Sequence, residues 1–180
     1  GPLGTRELNR LLQNKLNPPM KGKSEAVLMG RTLREGDKVM QVRNNYDIVW
    51  QQPDGTAGTG IFNGDMGMIE MLDNGSKTIQ VRFEDKLATY SFENQDQLEH
   101  AYAVTVHKSQ GSEFEAVVMP LERRHPRLHY RNLLYTAVTR ARRLLIVTGQ
   151  RETVYAMVQN DRRTLRYTNQ KEMLREMVEE

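Results

Sequence analysis

Apolar residues recur at helical spacing near the start of the chain. Leu8, Leu11, Leu12 and Leu16 fall on one side of a helix predicted over Thr5 to Leu16, which Pro18-Pro19 ends. The pattern then shortens toward a period of two. Glu25 to Met29 and Asp37 to Arg43 are predicted strands, with a polar turn containing Gly36 between them, and Asn44-Asn45 leads to a further strand over Tyr46 to Gln51. Pro53 to Gly60 is rich in Gly and Thr and has no periodicity, so it is predicted to be a mobile loop. Gly67 to Leu72 and Lys77 to Phe83 are strand-like and are joined by Asp73-Asn74-Gly75-Ser76, whose Asn-Gly pair is a strong hairpin signal. Leu87 to Phe92 follows after a short acidic turn, and several short strands with tight turns predict a small barrel.

The texture changes after Glu99. Ala101 to Val106, Ala116 to Leu121 and Leu144 to Thr148 are apolar runs of the kind found in buried parallel strands. Between them Arg131 to Arg142 is a predicted helix with Leu133, Leu134, Ala137, Val138 and Ala141 on one side. Glu152 to Gln159 and Asn169 to Glu180 are further predicted helices, the last amphipathic. Alternation of strand and helix predicts an α/β lobe, here interrupted by a small β insertion. The expected division assigns residues 5–36 and 100–180 to the lobe and 37–99 to the insertion, with a barrel near 62–95. Gly1-Pro2-Leu3-Gly4 resembles the scar of a cleaved expression tag and is set aside, and the chain reads as a piece of something longer.

Composition narrows the chemistry. The 180 residues contain no cysteine, which excludes disulfides and thiolate metal sites and fits a reducing compartment. No apolar run approaches the roughly 20 residues that span a bilayer, and no signal peptide is visible. The net charge of +3 implies little, but its distribution is uneven. From Arg123 to Arg143 there are arginines and no carboxylate, whereas acidic residues dominate from Glu84 to Glu99. A basic block of this kind points to a phosphate-rich partner; a solvated helix face bearing arginines would look the same.

Two segments carry candidate chemistry. In Tyr102 to Phe114, a predicted buried strand delivers a polar loop at its carboxyl end, where ligands sit in open α/β sheets. Thr105, His107, Lys108, Ser109 and Gln110 offer donors, Gly111 permits close backbone approach, and Glu113 offers an acceptor for a sugar hydroxyl. A polar loop with an internally satisfied histidine is the plainer alternative. In Asn132 to Arg142, Arg140 and Arg142 stand late in a predicted helix, where a cation complements the helix dipole. Arg140 is flanked by Thr139 and Ala141, which would let it project from a packed surface. Other residues have blander explanations. Met66, Met68 and Met71 are expected to fill core gaps, and Trp50 is expected either to pack or to stack on a base. His125 and His129 lack a nearby third ligand for a metal. No G-x-x-x-x-G-K-[ST] occurs, so the chain has no phosphate-cradling P-loop of its own, and no acidic Mg²⁺-holding motif is recognisable.

T-V-H-K-S-Q-G-S-E-F from Thr105 resembles motif V of superfamily 1 helicases, and L-Y-T-A-V-T-R-A-R from Leu134 resembles their motif VI. Within that superfamily the H-K-S-Q-G-S-E-F form is most similar to the RecD/TraA group. L-N-R-L-L-Q-N-K-L-N-P-P resembles the segment that follows the same group's motif IV, and G-D-K-V-M-Q-V-R-N-N-Y and F-N-G-D-M-G resemble its run into an SH3-like insertion. The resemblance implies a second RecA-like motor lobe carrying an inserted SH3-like β-barrel, from an ATP-dependent DNA helicase moving 5′ to 3′. It implies that Arg140 is the arginine finger reaching the γ-phosphate and that Gly111 and Glu113 lie near the nucleotide, Glu113 at the ribose. Thr105 and His107 would touch the single-stranded DNA backbone, with Lys108 and Ser109 as phosphate contacts, and the insertion would help close the strand in its channel. Lys77, Arg82 and Lys86 are its charge-based candidates. ATP with Mg²⁺ would be held mainly by a first RecA-like lobe, so the chain alone is expected to be inactive. The implied setting is a monomer in the bacterial cytoplasm, without membrane contact. Two other expectations stand beside this one: a conjugative relaxase with a RecD-like motor, and a non-catalytic nucleic-acid-binding β module.

Overall fold

The structure is a computed structural model and describes residues 3–122 and 130–161. The predicted helix over Asn169 to Glu180, His125, His129 and part of the basic block lie outside the described residues.

Helix α1, Thr5–Leu16, has the predicted limits. Its buried face is not the leucine face. Asn9 and Gln13 are the buried positions, and Asn17 just past the helix end is 6% exposed, whereas Leu11 and Leu16 are 49% and 66% exposed. Positions i, i+4 and i+8 share one side of a helix, so three amides form the fully buried line against the body of the protein, with Leu8 and Leu12 half-buried beside it.

Nine strands follow. β1 (Glu25–Leu28) and β2 (Arg31–Arg34) form an antiparallel hairpin, turned at Met29 and Gly30, which both have positive φ (48° and 72°). The sequence pattern had merged β2 into a turn. β3 (Lys38–Gln41), β4 (Asn45–Gln51), β5 (Ala57–Ile61), β6 (Met66–Asp73), β7 (Thr78–Phe83), β8 (Lys86–Ser91) and β9 (Leu98–His100) build one antiparallel sheet. A 3₁₀ turn, Phe92–Gln97, joins β8 to β9. The strand order is β5-β4-β8-β7-β6-β3-β9, so among the described residues the expected barrel is a sheet with two ends, β5 and β9. One core nevertheless gathers side chains from β1 through β9. Leu33, Val39, Ile79, Val81, Ala88 and Leu98 are all 0% exposed. Full burial of a Leu, Ile or Val side chain contributes roughly 1.5–3 kcal/mol.

Several local predictions are corrected. The expected mobile loop at 53–60 is a short turn followed by β5, which pairs with β4 through Val49↔Thr59 and Trp50↔Gly58. Its glycines look like loop residues in the sequence, but Gly58 is there to make room. A Cβ at that position would lie 2.4 Å from the Trp50 ring. The Asn74-Gly75 hairpin lies where expected between β6 and β7, yet the left-handed residue is Lys77 (φ 54°). Asp73 holds the turn by accepting from the amides of Gly75 (2.8 Å) and Ser76 (3.3 Å). Met68 and Met71 do not fill the core: they are 53% and 50% exposed, because β6 turns Ile69 and Leu72 inward.

The second half contains β10 (Phe114–Leu121), α2 (Arg131–Val138), β11 (Ala141–Gly149) and α3 (Arg151–Gln159). β10 and β11 pair in parallel, from Phe114↔Ala141 to Leu121↔Gly149, as the apolar runs predicted. Their burial does not follow the prediction. Val118, Leu144, Ile146 and Val147 are 63%, 51%, 44% and 40% exposed. Among the described residues this sheet has two strands, too few to cover both faces. The predicted helix over Arg131 to Arg142 stops at Val138, because the Phe114 amide donates to the Arg140 carbonyl (2.8 Å) and strand pairing begins there. Ala101 to Val106 is not a strand. The Asn9 side-chain amide takes the place of a neighbouring strand, donating to the Ala103 carbonyl and accepting from the Ala103 N–H, each at 2.8 Å.

Candidate nucleotide- and DNA-facing site

The loop between β9 and β10 is a run of tight turns. The Ser109 amide donates to the Thr105 carbonyl (3.0 Å), the Gln110 amide to the His107 carbonyl (3.3 Å), and the Ser112 amide to the Ser109 carbonyl (3.1 Å). The Thr105 hydroxyl oxygen accepts from the Lys108 amide at 3.2 Å. Gly111 has φ 86°, a region that favours glycine, and a Cβ there would meet nothing within 4 Å. The backbone on that side is therefore open to an approaching group.

The four expected DNA contacts divide into two kinds. Thr105 and His107 are exposed at the turn. Lys108 is exposed but its ammonium is paired with Glu99 at 2.7 Å. Ser109 is 5% exposed, and its hydroxyl donates to the Val106 carbonyl at 2.8 Å. In this conformation Ser109 braces the loop from inside rather than presenting a hydroxyl to solvent.

At the other edge, the chain leaving α2 meets the end of the same loop. The Arg140 guanidinium donates to the Ser112 carbonyl (3.0 Å), the Thr136 carbonyl (3.2 Å) and the Thr139 hydroxyl (3.3 Å). It thus lies over the end of its own helix and against the 105–113 loop at once. Beside it, Arg142 donates to Glu113 at 2.7 Å. That hydrogen bond first, then the charge of Arg142, hold the Glu113 carboxyl below its ordinary value. Both partners are more than half exposed, so the pair is open to exchange with a competing ligand. Two segments that are far apart in sequence, Thr105–Phe114 and Leu134–Arg142, are therefore one surface.

Two of the three charge-based candidates of the insertion, Arg82 and Lys86, are less free than their charge suggests, whereas Lys77 is exposed. Arg82 is paired with Glu70, and the Lys86 ammonium lies 4.9 Å from the centre of the Trp50 ring. Trp50 rests on Gly58 and under Lys86, as the packing alternative expects. The prediction missed Ser112, Asn9 and Asp37, and it did not pair Arg142 with Glu113. For Asn9 a signal existed: amides at 9, 13 and 17 repeat at the spacing of a helix face.

Comparison with known proteins identifies the family. Residues 8–83 match a family described as "ATP-dependent RecD-like DNA helicase SH3 domain", and residues 100–148 match "UvrD-like helicase C-terminal domain". The chain belongs to the RecD-like helicases. It is 34% identical over 142 residues to the ATP-dependent RecD2 DNA helicase of Deinococcus radiodurans, covering 79% of this chain and 18% of that one. It is 35% identical over 97 residues to the RecBCD enzyme subunit RecD of Mycobacterium tuberculosis, covering 54% of this chain and 17% of the relative. The RecD-like chain thus spans less than a fifth of either curated relative. Its fold is similar to that in a crystal structure of Bacteroides Pif1 bound to ssDNA, with a TM-score of 0.52 and 16% identity over 83% of this chain and 40% of that one. The RecA-like lobe with an SH3-like insertion is therefore the correct fold class, and the SH3 match takes in α1 through β7. Among the described residues no helix is long and apolar enough to cross a membrane.

Proposed function

We propose that this chain is the second motor lobe of an ATP-dependent 5′ to 3′ DNA helicase, and that it couples nucleotide state to grip on single-stranded DNA. The observation that carries this reading is the contact between Arg140 and the Ser112 carbonyl, because it joins the two helicase-like segments at one point. In a closed motor, Arg140 leaves Ser112 and reaches a γ-phosphate held by the first RecA-like lobe. A guanidinium there stabilises the charge that develops in phosphoryl transfer, an effect of about 10³–10⁵ in rate. Glu113, released from Arg142, accepts from a ribose hydroxyl, and the open backbone at Gly111 lets the nucleotide approach. Mg²⁺ travels with the ATP and is held by the first lobe.

The same exchange frees the far end of the 105–113 loop, whose exposed Thr105 and His107 face the DNA backbone. A ligand shifts a conformational equilibrium only by its differential contacts with the two states. The three acceptors that Arg140 gives up for phosphate provide such a difference. The 180-residue chain, which has no P-loop, does not hydrolyse ATP by itself. The test uses the parental protein with both lobes. Arg140→Ala removes ATP turnover and unwinding of a duplex with a 5′ single-stranded tail, while binding to the oligonucleotide survives. Turnover by the isolated chain, or unwinding that starts from a 3′ tail, would overturn the assignment.

A further inference from the structure

The most heavily hydrogen-bonded side chain in the described structure lies outside the site. Asp37, in the turn between β2 and β3, is 0% exposed. Its Oδ1 accepts from the Asn17 side-chain amide (2.7 Å) and the Tyr102 hydroxyl (3.0 Å). Its Oδ2 accepts from the Gln13 side-chain amide (2.7 Å) and the Arg34 backbone N–H (2.8 Å), and His100 Nε2 lies 3.1 Å away. The partners come from α1 and the residue just past it, the end of β2, β9 and the segment that enters the loop. A buried carboxylate with this many donors fixes the relative positions of the groups that hold it, since each lost donor leaves a buried acceptor lone pair.

Asn9 adds a second hold on the same segment, one residue further along. Its amide pairs with both backbone groups of Ala103. From Ala103 the chain runs directly into Thr105 and the loop. Downstream, the Lys38 ammonium of β3 lies 5.7 Å from the centre of the Phe114 ring, where the loop ends.

We propose that Asn9 and Asp37 are positioning residues which, through Ala103 and Tyr102, hold the base of the 105–113 loop against the β body, so that the amide face of α1 sets the order of that loop. For its consequence in DNA binding the inference rests on the function proposed above; for the latch itself it does not. α1 and the β body thus act on the loop from behind, at residues that touch neither nucleotide nor DNA.

The test is amide hydrogen exchange on the 180-residue chain, with Asn9→Ala and Tyr102→Phe, supplemented by binding of a fluorescent oligo-dT. Tyr102→Phe removes one hydroxyl and keeps the ring, so it remains informative if Asn9→Ala folds poorly. In either variant the amides of Ser109, Gln110 and Ser112 are expected to exchange about tenfold faster or more, while those of Val81 and Ala88 in the sheet change less than about twofold. Oligo-dT affinity falls in parallel. Unchanged exchange in the loop, or equal acceleration in loop and sheet, overturns the proposal, the second because it would mark the residues as general stabilisers. Faster loop exchange with unaltered oligo-dT binding upholds the latch and removes the loop from the DNA interface.

Discussion

Arg140→Ala separates a structural from a functional role most directly. The side chain makes three donated contacts, to Ser112, Thr136 and Thr139, at 3.0, 3.2 and 3.3 Å. Hydrogen bonds involving a charged group contribute about 1.5–3 kcal/mol when well shielded. These are longer than the charge-assisted optimum, lie at a partly exposed site, and end on acceptors that water can serve after the change. The expected loss is therefore about 1 kcal/mol, a fall in Tm of roughly 2–4 °C for a domain of this size. In the parental enzyme the same change is expected to lower ATP turnover by about 10³ or more, which is about 4 kcal/mol of transition-state stabilisation. Arg140→Lys keeps the charge and loses the planar fork, so it should melt close to the unaltered chain and still turn over poorly. Thermal melts of the 180-residue chain and steady-state turnover of the parent measure the two quantities. A stability loss above about 3 kcal/mol, within the range for breaking a buried, paired interaction, would make Arg140 a structural clasp. So would a drop in turnover of less than tenfold.

Tyr90→Phe should cost about 1–3 kcal/mol in urea unfolding, because the Gln41 Oε1 that accepts from Tyr90 at 3.0 Å is buried at 0% exposure and would lose its donor. The double variant with Gln41→Leu should cost less than the sum of the singles, and strict additivity would count against this network. Gly67→Ala places a Cβ 2.6 Å from the Arg82 carbonyl and must part β6 from β7, for a loss of about 1–3 kcal/mol; Gly75→Ala, with Asp73 Oδ1 at 3.2 Å, should be nearly silent in the same melts. Burial raises the Asp37 pKa, but hydrogen bonds from His100 and Asn17 outweigh it and leave the carboxyl below its ordinary value. Its stabilisation is therefore complete above the unfolded pKa of about 3.9 and lost as pH falls through the lower folded value, so urea midpoints should drop at acid pH even in high salt, and a flat profile there would refute the assignment.

The fold was legible wherever pattern and pairing agree. Strands β1, β3, β4, β6, β7 and β8 of the β body, the Asn74-Gly75 hairpin and the parallel partners β10 and β11 follow from short-range alternation and apolar runs, whereas β2, β5 and β9 do not. Errors arose where a backbone group found a partner that periodicity does not encode. Ala103 pairs with a side chain 94 residues earlier, so an apolar run that looked like a strand has no strand beside it. Gly58 and Thr59 have the composition of a loop, yet they pair as a strand because the Trp50 ring needs the space that Gly58 leaves. The exposure of Val118 and Ile146 could not be read from composition, because burial depends on which other elements cover a strand. The site was legible as two segments, and their meeting at Ser112 follows from the parallel pairing of Phe114 with Ala141. What the residue types could not convey is engagement. Ser109 and Lys108 look like free donors in sequence, and both are already occupied by Val106 and Glu99.

A helix that docks through leucines can rotate or slip by a fraction of a turn at little cost, because apolar contact has no direction. α1 docks through Asn9, Gln13 and Asn17. Amide contacts depend on distance and angle, so its seat admits a single register and a single rotation. The same chemistry makes the seat vulnerable to solvents that compete for polar groups. Urea solvates amides as well as apolar surface, so α1 should peel away at a concentration that the leucine- and isoleucine-filled sheet still withstands.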